Sequence, residues 1–236
     1  MHRNFLRVAR HAAVLCTALV MLLPVSHARA GIIFEQTVDL TVDGYASDFS
    51  YRGSDPPGLQ VADDFRLQPG ASTVTGVQWW GAYDTRQALS LPDAFTIRLF
   101  GDVAGRPAAA PLYEFFVGDS VGRTDSGFDV GGLYDVYFYS AQIAATTLLA
   151  GTTYWLSVVN DTAAAANYDW YWSTDNRFTI TYNRDTDSDP WGPDATPVGF
   201  RLTDDALTTV PEPASLALFG AGLAGLGLLR RRQPRR

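Results

Sequence analysis

The stretch from residue 31 to residue 205 predicts an all-β fold, an antiparallel β-sandwich of jelly-roll-like kind. Three observations predict it. Apolar residues recur at every second position in short runs, Gly, Pro, Asp and Asn separate the runs, and helical periodicity is scarce. Many short strands with no helices between them suit two antiparallel sheets packed face to face. The stretch is long enough for one domain with a sizeable core.

The elements follow in order. Residues 32–40 read as the first strand. Residues 61–67 and 74–83 come next, with Pro69-Gly70 as the turn between them. Residues 95–99 alternate cleanly, which puts Phe95, Ile97 and Leu99 on one face. Residues 112–117, 133–143, 152–159, 169–173 and 198–202 complete about nine or ten strands. Tyr154, Leu156 and Val158 share a face and are predicted core. Trp79 and Trp80 are consecutive and point to opposite faces, so one of them is expected to be exposed or at an edge. Pro56-Pro57-Gly58, Gly105-Arg106-Pro107 and the run Asp189-Pro190-Trp191-Gly192-Pro193 mark loops. Residues 163–166, all alanine, read as a loop or a helical turn. The cadence of Asp63-Asp64-Phe65, Val77-Gln78-Trp79-Trp80-Gly81, residues 95–100 and residues 148–158 resembles a β-sandwich module of secreted bacterial proteins. That resemblance implies the fold and no reaction.

Both ends differ from this body. Residues 1–30 read as a signal peptide. Arg3, Arg7 and Arg10 charge its start, residues 12–25 form an apolar core, and Ala28-Arg29-Ala30 is a small-x-small cleavage site for signal peptidase. Cys16 suggests lipoprotein processing, but Leu15 is too large for that motif and the apolar run continues past it.

Residues 206–236 form a linker and a tail. Pro211, Glu212 and Pro213 precede an apolar run over 216–229, and Arg230, Arg231, Arg232, Arg235 and Arg236 follow it. The prolines keep their neighbours extended, so a helix starts only after them. The uncharged residues 214–229 cover roughly 24 Å as a helix, short of the ~30 Å hydrocarbon core. Arg230 can snorkel and the bilayer can thin to close that gap. The arginines act as a membrane stop that holds the C-terminal end in the cytoplasm. Gly220 and Ala224 form a small-xxx-small pattern for close helix contact. The competing reading is a buried helix of a globular domain, which five arginines directly after an uncharged run do not suit.

Triplet, span and basic stop, in that order, resemble the PEP-CTERM family of exported bacterial proteins. The resemblance covers only residues 210–236. It implies recognition in the inner membrane by an exosortase, cutting near residues 211–213, and a destination at the cell surface or outside the cell.

Composition narrows the chemistry of the body. Every histidine (His2, His11, His27), the single cysteine Cys16 and both methionines lie within residues 1–30, and the chain has no lysine. The body therefore has no imidazole for a Ser-His-Asp triad, no thiolate, no Schiff-base lysine, no His or Cys for zinc and no disulfide. Its nine arginines face 24 acids, a net charge of −15, which excludes binding to nucleic acid through phosphates.

Three kinds of site survive. Tyr168, Trp170 and Trp172 share one strand face beside Asn167 and Asp169 and could stack on sugar rings, with Trp79, Trp80, Trp155 and Trp191 extending the platform. Alternating aromatics in a strand more often belong to the core. Asp185, Asp187 and Asp189 alternate as in calcium loops, so a structural Ca²⁺ competes with a solvated acidic loop. Pro190 and Thr196 stand where an EF-hand needs glycine and glutamate. The acidic pairs Asp63-Asp64 and Asp204-Asp205 complete the acidic candidates. Carboxylate-pair glycoside hydrolysis needs only two spaced acids, but nothing in the spacing selects a pair.

The expected function is that of an exported, non-enzymatic protein of the cell surface or extracellular matrix, without a cofactor. It would associate with exopolysaccharide and biofilm, a context the family resemblance implies. A carbohydrate-binding module on the aromatic face is the alternative, and a carboxylate-pair glycosidase a distant third. The membrane is engaged through the C-terminal helix before processing. Protease added to spheroplasts should therefore digest the body and spare the C-terminal end; protection of the body would refute this topology.

Overall fold

A computed structural model describes residues 31–39, 43–54, 58–86, 88–165, 168–175 and 179–204. The predicted signal peptide, with Ala28 and Ala30, and the predicted tail and span lie outside these residues.

The described residues of the body form one compact unit. It is all-β, with short 3-10 turns at Ala88–Ser90 and Thr162–Ala165. Among the described residues there are thirteen strands: β1 Ile32–Gln36, β2 Gly44–Ala46, β3 Gln60–Arg66, β4 Thr73–Tyr83, β5 Phe95–Gly101, β6 Tyr113–Gly118, β7 Gly122–Val130, β8 Tyr134–Thr147, β9 Thr153–Val159, β10 Trp170–Ser173, β11 Thr181–Arg184, β12 Gly192–Asp194 and β13 Phe200–Thr203. They make two antiparallel sheets of a β-sandwich-like fold.

In the first sheet β4 is central. One edge pairs along its length with β8, which pairs in turn with β7. The other edge is divided: β13 takes Gly76 to Trp79 and β10 takes Gly81 to Tyr83. Strands β1 and β2 flank these two. The second sheet runs β12-β11-β3-β9-β5-β6.

The alternation predicted for β5 and β9 holds. Phe95, Ile97 and Leu99 face the core with Tyr154, Leu156 and Val158. From the first sheet come Val77, Trp79, Tyr83, Tyr137, Tyr139, Trp170, Trp172, Phe200 and Leu202. Phe95 is the crossing point of the two layers. Its ring centroid lies 5.1 Å from Trp79, 5.0 Å from Tyr139 and 5.0 Å from Trp170, each at a steep angle. Edge-to-face packing of this kind adds to area burial. Trp79 and Tyr139 stack beside it, 5.6 Å apart. Gly81 makes room for this cluster: a Cβ there would meet Cζ2 of Trp170 at 2.3 Å.

Trp80 corrects an expectation. It points away from the main core yet is 8% exposed. Phe138 packs against it at 5.4 Å and the Arg201 guanidinium lies 4.9 Å over its ring. An outward face is thus a second, smaller core, shared with Ala82 and Val136.

Two buried carboxylates tie the layers. Asp63 faces inward between Val61 and Phe65 and is fully buried. It accepts hydrogen bonds from the Gln36 amide at 2.5 Å and the Val198 N–H at 2.9 Å, joining β1 of one sheet to β3 of the other. Asp48 accepts from the N–H groups of Ser50, Thr162 and Trp170 and from the Thr162 hydroxyl. Beside it, Tyr83 donates to Asp93 at 2.7 Å and accepts from the Asn160 amide at 2.8 Å, while Arg123 pairs with Asp93.

Strands β2, β7, β11 and β12 were not predicted. β2, β11 and β12 have three or four residues each, and β7 is mostly exposed, so none shows the alternation of a half-buried strand.

Two measurements probe this architecture. Phe95→Ala should cost roughly 3–5 kcal/mol in urea unfolding, and Phe95→Leu clearly less, because the leucine refills part of the cavity. Burial pushes the Asp63 carboxyl up to about 7 against the opposing hydrogen bonds from Val198 and Gln36. Between an ordinary Asp value near 3.9 and that value, the folded protein keeps a proton the unfolded chain has lost. Stability should therefore fall as pH rises from about 4 to about 7 and level off above, and Asp63→Asn should flatten that slope. Burial also raises Asp48 and Asp93, so part of the slope should remain in the variant.

Candidate functional site

The aromatic platform does not form. Trp170 and Trp172 are both 0% exposed. Trp170 meets Phe95, and Trp172 packs against Phe200 and donates its indole N–H to the Gly199 carbonyl at 2.9 Å. Because β10 lies beside β4 inside the sandwich, its aromatic face is the inner one. Tyr168 is half-buried against the core, and Asn167 lies outside the described residues. Asp169 is buried and pairs with Arg52 at 3.2 Å. The remaining tryptophans are not gathered into an extension: Trp79 is core, Trp80 lies on the outer face of the first sheet, and Trp155 and Trp191 lie on that of the second.

The acidic loop does not become a calcium loop. Asp187 Oδ1 accepts from Arg98 Nη1 at 2.6 Å and from Arg184 Nη2 at 2.7 Å, and Oδ2 accepts from Arg98 Nη2 at 3.0 Å. A carboxylate held by two guanidiniums has its charge met and its lone pairs largely taken. Asp189 accepts from the Thr186 N–H and hydroxyl, and Asp185 is exposed. Among the described residues no group of three or more His, Cys, Asp or Glu side chains is placed to hold a metal ion. Of the acidic pairs, Asp63 is buried as above, Asp204 bonds to the Gly31 N–H, and Asp205 lies outside the described residues.

What this loop does instead is cover the outer face of the second sheet. Ala62, Phe100, Trp155 and Trp191 form a buried cluster there. Phe100 and Trp191 meet edge to face at 5.3 Å. The Arg184 guanidinium lies 4.4 Å over the Trp191 ring, donates to Gln60 Oε1 at 2.6 Å and reaches the Ala109 carbonyl at 2.9 Å. Burial lowers the Arg184 pKa, which Asp187 opposes. Arg98 also pairs with Glu114 and lies 5.0 Å over the Phe49 ring. Arg98 and Arg184 both belong to this side.

Sequence reasoning passed over this cluster. Arg98 sits in a recognised strand, on the face opposite Phe95, Ile97 and Leu99. Alternation puts Arg98 on the outer face but cannot show that a distant loop covers it. Arg184 lies in β11, a strand too short to register.

The tail adds what the body lacks. Residues 209–232 match the family model of the PEP-CTERM protein-sorting motif. The tail carries a PEP-CTERM sorting motif. The match covers the tail and none of the body. It implies export, a membrane-anchored precursor and handling by an exosortase. No curated protein and no solved structure matches the chain. Among the described residues no helix is long and apolar enough to cross a membrane, and the predicted span lies outside them.

Removing Asp187 tests the clasp. In Asp187→Ala two buried guanidiniums lose a shared anion, and hydrogen bonds to charged groups contribute about 1.5–3 kcal/mol each before solvent screening of this partly exposed carboxylate. A lowered urea midpoint, smaller at high salt, is expected.

Proposed function

We propose that this chain is a non-enzymatic structural protein of the cell surface or extracellular matrix, delivered there by its sorting tail and associated with exopolysaccharide. The observation that carries the reading is the PEP-CTERM motif at residues 209–232, joined to a body without His, Cys, Lys or Met. Those absences remove imidazole, thiolate and amine as nucleophiles or general bases. The buried acids support the same reading. Asp48, Asp63 and Asp93 are each tied into internal hydrogen bonds that join strands and loops, a structural use of carboxylates. A net charge of −15 keeps such a body soluble and separated from its copies during export.

Intact-mass measurement of the protein from its native host tests the delivery. A mature form beginning near residue 31 and ending near residues 211–213 is expected. Glu212→Ala should leave the tail attached and the protein in the membrane fraction. A wild-type mature form that still ends at Arg236 would refute exosortase-type cutting.

A further inference from the structure

Five strands have a single neighbour among the described residues: β1, β2, β6, β7 and β12. An open edge offers a row of backbone N–H and C=O groups to any other strand, and proteins blunt it with shortness, proline, charge or a bulge. Four of the five are blunted. β2 and β12 have three residues each, and β12 contains Pro193. β7 carries Asp125 and Asp129, and its register shifts between them. β1 shifts register between Ile32 and Phe34 and carries Glu35. The part of β8 beyond β7 is likewise broken by a shift opposite Val74 and Gly76.

β6 is the exception. Its six residues hold no proline, and Tyr113 to Phe116 pair with β5 without interruption; the shift comes only after Phe116. Its one charge, Glu114, is met by Arg98 at 2.6 Å. Leu112, Tyr113 and Phe116 are exposed, Phe116 to 76%. We propose that β6 pairs antiparallel with β6 of a second copy of this chain, joining two second sheets into one continuous sheet across a two-fold axis.

The register argues for a second copy as the occupant. Tyr113 and Phe115 lie opposite Leu99 and Ile97 and face inward, whereas Glu114 and Phe116 lie opposite Arg98 and Thr96 and face outward. A two-fold axis perpendicular to the sheet keeps inner faces together. A register centred on Phe115 then sets Phe115 against its own copy and Tyr113 against Val117 of the second copy. Aromatic and β-branched cross-strand pairs of this kind stabilise an antiparallel ladder. Phe115 and Val117 already pack on the core, and Tyr113 stacks beside Phe115 at 6.5 Å, so this row is ordered before the copy arrives. On the outer face Phe116 comes against Glu114 of the second copy, whose charge Arg98 meets. A basic partner has no free carboxylate to seek here, since Glu114 is the only acid of the strand and is paired. A strand that pairs with itself uses up the same edge on both chains and closes the assembly at two.

The net charge sets the conditions. Two bodies at −15 repel over a screening length of about 30 Å at 0.01 M salt and about 8 Å at 0.15 M. The contact itself is apolar and backbone, so the dimer tightens as salt rises, opposite to an association driven by charge pairs. One strand pair is a small interface, of the size of transient complexes, so the dimer forms reversibly.

The contact belongs to the body alone and does not depend on the sorting route, which the mass measurement tests separately. Residues 31–207, which carry their own core, should be sedimented to equilibrium at rising protein concentration in about 0.01 M and about 0.15 M salt. A reversible monomer–dimer equilibrium, about tenfold tighter at the higher salt and without larger species, is expected. Phe116→Glu sets a second acid against Glu114 of the copy and should weaken association about tenfold without moving the melting temperature. Leu149→Glu adds the same charge on an exposed loop and should leave association unchanged. Amide hydrogen exchange reads the strand itself: residues 113–117 should exchange more slowly in the dimer, and those of β7 equally fast in both states. A monomer at millimolar concentration in both salts overturns the proposal, whether the edge takes another strand or none. So do tighter association at low salt, open-ended oligomers, or a Phe116→Glu variant that dimerises like the wild type.

Discussion

The edge of Phe95 set among Trp79, Tyr139 and Trp170 holds the two layers of this protein together. One ring from the second sheet enters a cage formed by three strands of the first. The body has no disulfide and no metal-binding His or Cys, so cohesion between sheets must come from packing. Large aromatics suit that demand because each buries much area with few rotatable bonds. The arrangement also dictates local choices. Gly81 is needed because Trp170 lies where its Cβ would be. The length of β4 follows as well, since it must pair with β13 at one end and β10 at the other.

Polar groups finish what the rings begin. Asp63 and Asp48 sit in places where a carboxylate is costly, and each is satisfied by several donors. Their partners come from segments far apart in the chain, so each carboxylate closes a long loop. Such groups specify which loops meet at the ends of a sandwich, a task that apolar packing does loosely.

The two outer faces differ in kind. That of the first sheet carries Trp80 and its small apolar cluster. That of the second is covered by a loop pinned through Asp187 to Arg98 and Arg184, which buries Trp191 against Phe100. On this side Arg98 and Arg184 share one carboxylate, and Arg184 braces the Trp191 indole.

Much of this was legible in the chain itself. Periodicity of two, punctuated by Gly, Pro and Asp, determined an all-β body, because side-chain direction in a strand depends only on parity. The order of Pro211-Glu212-Pro213, an uncharged run and an arginine cluster determined the sorting tail, because each part acts through its own local chemistry. Parity could not decide which face of a strand is inner, so Trp170 and Trp172 could be read as platform or core until β10 was placed beside β4. Nor could it show that Asp187 meets Arg98, 89 positions away, and is thereby spent as a clasp. The buried cluster around Trp191 belongs to the same class: it exists only where a distant loop covers one face of a sheet. Contacts of that kind depend on topology, and topology is a property of the packed sheets as a whole.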